Sequence, residues 1–97
     1  MAKQTKIRKS ARGEDCALRL GACSHPETVI LAHIGRNRGM GIKCADYFAV
    51  YACSNCHDII DYRVKSEFSR DQLETEKLRA LEETQGKLVN KGLLNVV

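Results

Sequence analysis

The spacing of apolar positions changes character three times along the chain. Thr28-Val29-Ile30-Leu31-Ala32-His33-Ile34 is a compact β-branched run that predicts a strand. It ends in Gly35-Arg36-Asn37-Arg38-Gly39-Met40-Gly41, a glycine-rich loop. Tyr47-Phe48-Ala49-Val50-Tyr51-Ala52 predicts a second strand, which delivers the chain into Cys53-Ser54-Asn55-Cys56; a helix should start within this knuckle and run to about Arg63. In the last third the period becomes helical. Leu73, Lys77, Leu78, Leu81, Gln85 and Leu88 follow spacings of three and four, with Leu73, Leu78, Leu81 and Leu88 as the apolar stripe. Ser69 and Gln72 form a capping box at its start and Gly92 a stop, which gives a helix over 69–91. The stripe is expected to pack on the rest of the chain; a homodimer seam is its alternative use.

Length and composition decide how such elements hold together. Ninety-seven residues predict one domain over 1–97, with a basic arm at 1–13, a core at 14–63 and the C-terminal helix. There is no repeat, low-complexity tract or proline-rich linker. A chain this short buries little of its surface, and this one has no Trp and only 5% aromatic residues. In such a small α+β fold a structural metal can contribute on the order of 10 kcal/mol to folding.

The cysteines supply that metal site. Cys16 and Cys23 form one pair, Cys53 and Cys56 a second, and two short loops of this kind can aim four thiolates at one tetrahedral Zn²⁺. A redox dithiol is the alternative for Cys53 and Cys56, but the βαβ pattern of a thioredoxin-like fold is missing. Cys53-Ser54-Asn55-Cys56-His57 also matches the c-type haem attachment pattern, which belongs to exported proteins and leaves Cys16 and Cys23 without a role. Cys44 is the odd thiol and reads as free. An odd count of five argues against a disulfide framework.

Charge narrows the partners. The net charge is +4, and the cations cluster: Lys3, Lys6, Arg8, Lys9 and Arg12 stand in residues 1–13 without an acid, and Arg36, Arg38 and Lys43 follow His33 without one. Between Val64 and Lys91 six basic and six acidic residues cancel. Cations flanking a metal site point to a polyanion, since neutralising phosphates releases counterions. Arg12, Arg36, Arg38 and Lys43 are the candidate nucleic-acid contacts; a solubilising basic tail is the plainer reading of the arm. No stretch approaches the roughly 18 apolar residues of a membrane span. The polar start Met1–Ser10 lacks the apolar run of a signal peptide, so the expected compartment is the cytosol.

Taken in order, these pieces resemble a known family. Arg12-Gly13, Cys16, Cys23, Pro26-Glu27, Leu31-Ala32-His33-Ile34, Asp46 and Ala52-Cys53-Ser54-Asn55-Cys56-His57-Asp58-Ile59-Ile60-Asp61 resemble the HNH (ββα-metal, His-Me finger) endonucleases. The likeness is closest to the small nuclease-family proteins of lambdoid phages and prophages, and it runs from about Lys9 to Arg63. The resemblance implies a zinc-stapled, treble-clef-like ββα core in a bacterial host cell, acting on double-stranded DNA in phage DNA processing or recombination. It also implies His33 as general base on water, and His57 and Asp61 as ligands of a catalytic Mg²⁺ or other divalent cation. Four residues apart on a helix, His57 and Asp61 share one face, whereas Asp58 does not. A helix cap or a partner to the zinc thiolates is the plainer role for His57.

Two departures stand against that pattern. Ala32 occupies the position where the family commonly has a metal ligand. The middle asparagine that orients the base has no clear counterpart, with Asn37 and Asp46 as candidates and Asn55 inside the knuckle. The rival function is a zinc-stapled module that grips nucleic acid without cutting it, and a third is a protein-interaction module using the C-terminal helix.

Overall fold

The structure is a computed structural model that describes residues 5–21, 23, 26–34 and 46–95. The glycine-rich loop, Arg36, Asn37, Arg38, Lys43 and Cys44 lie outside the described residues.

Among the described residues the fold is α+β: a two-stranded antiparallel sheet and three α-helices. Helix α1 spans Lys6–Ser10, and Thr5 caps it by accepting the Arg8 N–H. The helix lies within the basic arm, whose sequence carries a charge signal but predicts no element. Strand β1 covers Ile30–His33 and β2 covers Ala49–Ala52, paired Ile30↔Ala52, Leu31↔Tyr51, Ala32↔Val50 and His33↔Ala49. Both strands are shorter than their apolar runs. Pro26–Thr28 forms a 3₁₀ turn ahead of β1, and Tyr47 and Phe48 lie in the turn that leads into β2.

Helix α2, Ser54–Ile60, begins inside the knuckle with Cys53 as its cap. It stops before Arg63, because Tyr62 takes a left-handed φ of 58° and the chain closes through Tyr62 N–H to Ile59 O and Arg63 N–H to Asp58 O. That is a Schellman ending with tyrosine where glycine is usual. Helix α3, Arg70–Asn90, opens with the Ser69–Gln72 capping box and closes at Gly92, whose φ is 73°.

β2 is buried along its whole length, with α2 and α3 both packed on it. Its outer edge would be an unpaired ladder, and two contacts satisfy it: Thr84 on α3 accepts the Tyr51 N–H at 3.1 Å, and the Ala17 N–H donates to Tyr51 O at 2.8 Å. The stripe on α3 is therefore Leu73, Ala80, Thr84 and Leu88, with Leu81 half-buried. Leu78, expected in that stripe, is 59% exposed. Polar links lace α3 to the loop before β1. Arg79 donates to Leu18 O at 2.8 Å, Arg19 makes a forked pair with Glu83 at 2.9 and 3.1 Å, and Lys91 meets Glu14.

Candidate functional site

The most compact cluster of reactive side chains is made by the four cysteines of the two pairs. The Sγ atoms of Cys16, Cys23, Cys53 and Cys56 all lie within 4.8 Å of one another, with Cys23 and Cys56 at 3.9 Å. Sulfurs bound at about 2.3 Å to a tetrahedral ion sit roughly 3.8 Å apart, so the spacing suits one. Among the described residues no other group of three or more His, Cys, Asp or Glu side chains could share a metal.

Backbone donors shape each loop around the sulfurs. The Arg19 N–H approaches Cys16 Sγ at 3.5 Å, the Leu20 N–H approaches Cys56 Sγ at 3.4 Å, and the Cys56 N–H approaches Cys53 Sγ at 3.5 Å. Arg19 holds a left-handed φ of 50° to make this turn, and its guanidinium is tied down by Glu83. Cys16, Cys53 and Cys56 are buried, while Cys23 closes the site from the exposed side.

Crowding sets the charge of the group. A hydrogen bond from Cys56 lowers Cys16 to about 4. The same bond, together with burial, pushes Cys56 upward. Burial and the nearby Cys16 charge raise Cys23 to about 11. Four packed thiols cannot all ionise unless a cation sits among them, and four thiolates are the donor set that Zn²⁺ favours.

A second cluster joins β1, the turn before β2 and α1. His33 Nε2 lies 2.7 Å from Asp46 Oδ1; the other carboxylate oxygen accepts the Thr5 hydroxyl at 2.7 Å, and Arg8 Nε approaches Oδ1 at 3.3 Å. Burial alone would raise the Asp46 carboxyl, but the bonds from His33 and Thr5 and the charge of Arg8 hold it below its ordinary range. An ionised carboxylate only accepts, so His33 Nε2 is the donor in this bond, and in the neutral tautomer that this fixes the lone pair is on Nδ1.

On α2, His57 Nε2 lies 3.1 Å from Asp61 Oδ2, and Arg63 reaches that same oxygen at 3.7 Å and Asp58 at 3.5 Å. His57 is thus joined to its partner one turn on, with Asp58 drawn off to Arg63. Among the described residues neither His57 with Asp61 nor His33 with Asp46 gains a third metal-ligating side chain.

Arg12 is exposed on an open groove of about 690 Å³, lined by Arg8, Lys9, Arg12, Glu27, Val29, Ile30 and Leu31. Three cations of α1 and its end thus share one surface. Arg8 also reaches Asp46, so the groove adjoins the His33 cluster. Thr5 and Arg8 were not among the residues singled out for the site, because a lone threonine and one arginine in a basic run carry no spacing signal. Their role depends on a contact 38 and 41 residues away.

Comparison with known proteins places this geometry in a family. A family model described as "Putative nuclease YbcO" matches residues 5–93. Two relatives carry the same description, one from Escherichia coli (strain K12) and one from Enterobacteria phage 82. Each is 49% identical over 61 residues, which cover 59% of this chain and 64% of the relative. The match thus spans somewhat under two thirds of the length of those relatives. A solved structure titled "Structure of a putative bacteriophage protein from Escherichia coli str. K-12 substr. MG1655" superposes with a TM-score of 0.73 at 36% identity, covering 90% of this chain and all of that one. By the extent of the family match, this chain belongs to the family described as "Putative nuclease YbcO".

Proposed function

We propose that the protein is a metal-dependent endonuclease of HNH type that hydrolyses phosphodiester bonds of DNA. The observation that carries this reading is the 2.7 Å bond between His33 Nε2 and Asp46, which leaves Nδ1 as the ring nitrogen not engaged by that carboxylate, at the end of a short strand and next to a cationic groove. The family description, "Putative nuclease YbcO", supports it.

His33 Nδ1 takes a proton from a water molecule as that water attacks phosphorus, and the bond from phosphorus to the leaving oxygen breaks. Asp46 positions the ring and stabilises the imidazolium that forms. Arg12, with Arg8 and Lys9 beside it, holds the neighbouring phosphates, and Arg36, Arg38 and Lys43 are further proposed contacts to the backbone of the nucleic acid. His57 and Asp61 would hold the catalytic cation. Two protein ligands suit Mg²⁺, which keeps several waters and takes its remaining contacts from the substrate phosphate. That cation would supply charge stabilisation to the leaving oxygen. Cys16, Cys23, Cys53 and Cys56 would hold a structural Zn²⁺ that sets the start of α2, and with it His57.

Two observations favour a second reading, a zinc-stapled module that binds DNA without cutting it. Ala32 offers no ligand where the resemblance expects one, and no third protein ligand joins His57 and Asp61 among the described residues. Supercoiled plasmid separates the two. The zinc-loaded nuclease nicks it in Mg²⁺ or Mn²⁺ and not without an added divalent cation. Folded, zinc-loaded protein that retards the plasmid on a gel and leaves it intact is a binder.

A further inference from the structure

The chain has five aromatic side chains, two Phe and three Tyr, and a core this small has every reason to bury them. Tyr51 is buried, yet Tyr47 and Phe48 are each 43% exposed. They are consecutive residues, which a strand would send to opposite faces, but here they lie in the turn before β2 and their ring centroids come within 4.7 Å at 55°. The backbone beneath them is fixed at two points. Gln85 on α3 donates to Tyr47 O at 2.6 Å, and the Ile34 N–H donates to Phe48 O at 3.0 Å.

Their place in the fold is what gives the pair a meaning. Tyr47 directly follows Asp46, and Phe48 is bonded to the residue directly after His33, so both rings leave the chain at the residues that flank the His33–Asp46 pair. An exposed, paired aromatic surface on a braced turn suits the flat face of a nucleobase. A base stacked within an intact duplex cannot present that face. Stacking of this kind also tolerates any base, because each has a π-face.

We propose that Tyr47 and Phe48 form a stacking platform for an unpaired nucleobase next to the scissile phosphate, which makes DNA with single-stranded or locally opened segments the preferred substrate. The proposal rests on the nuclease reading for the identity of the scissile bond, but its test does not depend on cleavage.

Binding is measured with the zinc-loaded His33→Ala protein without added divalent cation, so that nothing is cut, using an oligonucleotide that carries 2-aminopurine either in a single strand or in a fully paired duplex. Stacking quenches the probe fluorescence in the single strand. In the same background Tyr47→Ala with Phe48→Ala should abolish that quenching and weaken single-strand binding roughly ten-fold or more, with duplex affinity unchanged. The conservative pair Tyr47→Phe with Phe48→Tyr should keep both, which separates a stacking role from damage to the turn. Absence of quenching, absence of single-strand binding, or equal loss of single-strand and duplex affinity in the alanine variant would overturn the platform. Quenching by a protein whose His33-containing form cuts no DNA would leave the platform standing and remove the nuclease instead.

Discussion

Thr5 and Asp46 stand 41 residues apart in the chain and meet through a 2.7 Å hydrogen bond. The same threonine oxygen accepts the Arg8 N–H at the start of α1, so one hydroxyl both caps a helix and braces the carboxylate that faces His33. The basic arm is thereby part of the candidate site.

Acid tests that arrangement. Asp46 is held below its ordinary carboxylate value of 3.8 in the folded chain, so the stability it contributes is fully present above that value and is lost as the pH falls through the depressed one. The difference in unfolding free energy between wild type and Asp46→Ala should shrink as the pH falls from about 4 towards 2 and Asp46 takes up its proton. Urea melts over that range check it. A difference that grows towards low pH contradicts the stated bonding of Asp46.

The cysteine cluster predicts a strict dependence on metal. Cys56→Ser removes one of four ligands at a buried position, and chelation removes the ion altogether; each should unfold the domain, since binding free energy at a structural site is folding free energy. Zinc content by mass spectrometry should be one ion per chain, and circular dichroism should collapse on chelation. A Cys56→Ser or Cys53→Ser protein that stays folded with one zinc shows that other residues hold the ion.

Helix α3 predicts which of its side chains matter. Thr84→Val keeps the shape but leaves the Tyr51 N–H without an acceptor, at a penalty of about 1–3 kcal/mol, and Leu73→Ala should lose about 2–5 kcal/mol. Leu78→Lys should change stability by no more than about 0.5 kcal/mol, because that side chain is exposed. Thermal melts rank the three, and a large loss at Leu78 would place it in a contact that this fold does not contain.

These cases show what the sequence makes legible. The two cysteine pairs are readable because ligand geometry restricts their spacing, and the capping box and Gly92 because helix ends need particular residues. Leu78 misled because hydrophobicity alone counts any leucine near the stripe, while the true seam runs through Ala80 and Thr84. Thr84 stayed hidden since a threonine reads as surface until the edge of β2 demands an acceptor. Asp46 could be suspected as the partner of His33, but Thr5 and Arg8 could not, because nothing local ties an arm to a turn some 40 positions later. The end of α2 was placed too late because Tyr62, not glycine, adopts the left-handed turn.

The positioning role of Asp46 carries its own prediction for catalysis. Asp46→Asn preserves size and the contact with Thr5 but no longer fixes the proton on His33 Nε2, so kcat should fall, by at most the ~10²–10⁴-fold expected for loss of the general base itself. KM for DNA should hold steady. A variant that nicks at the wild-type rate contradicts the role given to this carboxylate.

The most direct measurement compares wild type with His33→Ala on supercoiled plasmid in Mg²⁺, in Mn²⁺ and without added divalent cation, with both proteins matched for zinc content and melting temperature. The account predicts nicking by wild type that requires the added cation and falls by about 10²-fold or more in His33→Ala, with DNA binding retained. Equal cleavage by the two proteins would contradict it, as would intact plasmid with a folded, zinc-loaded wild type.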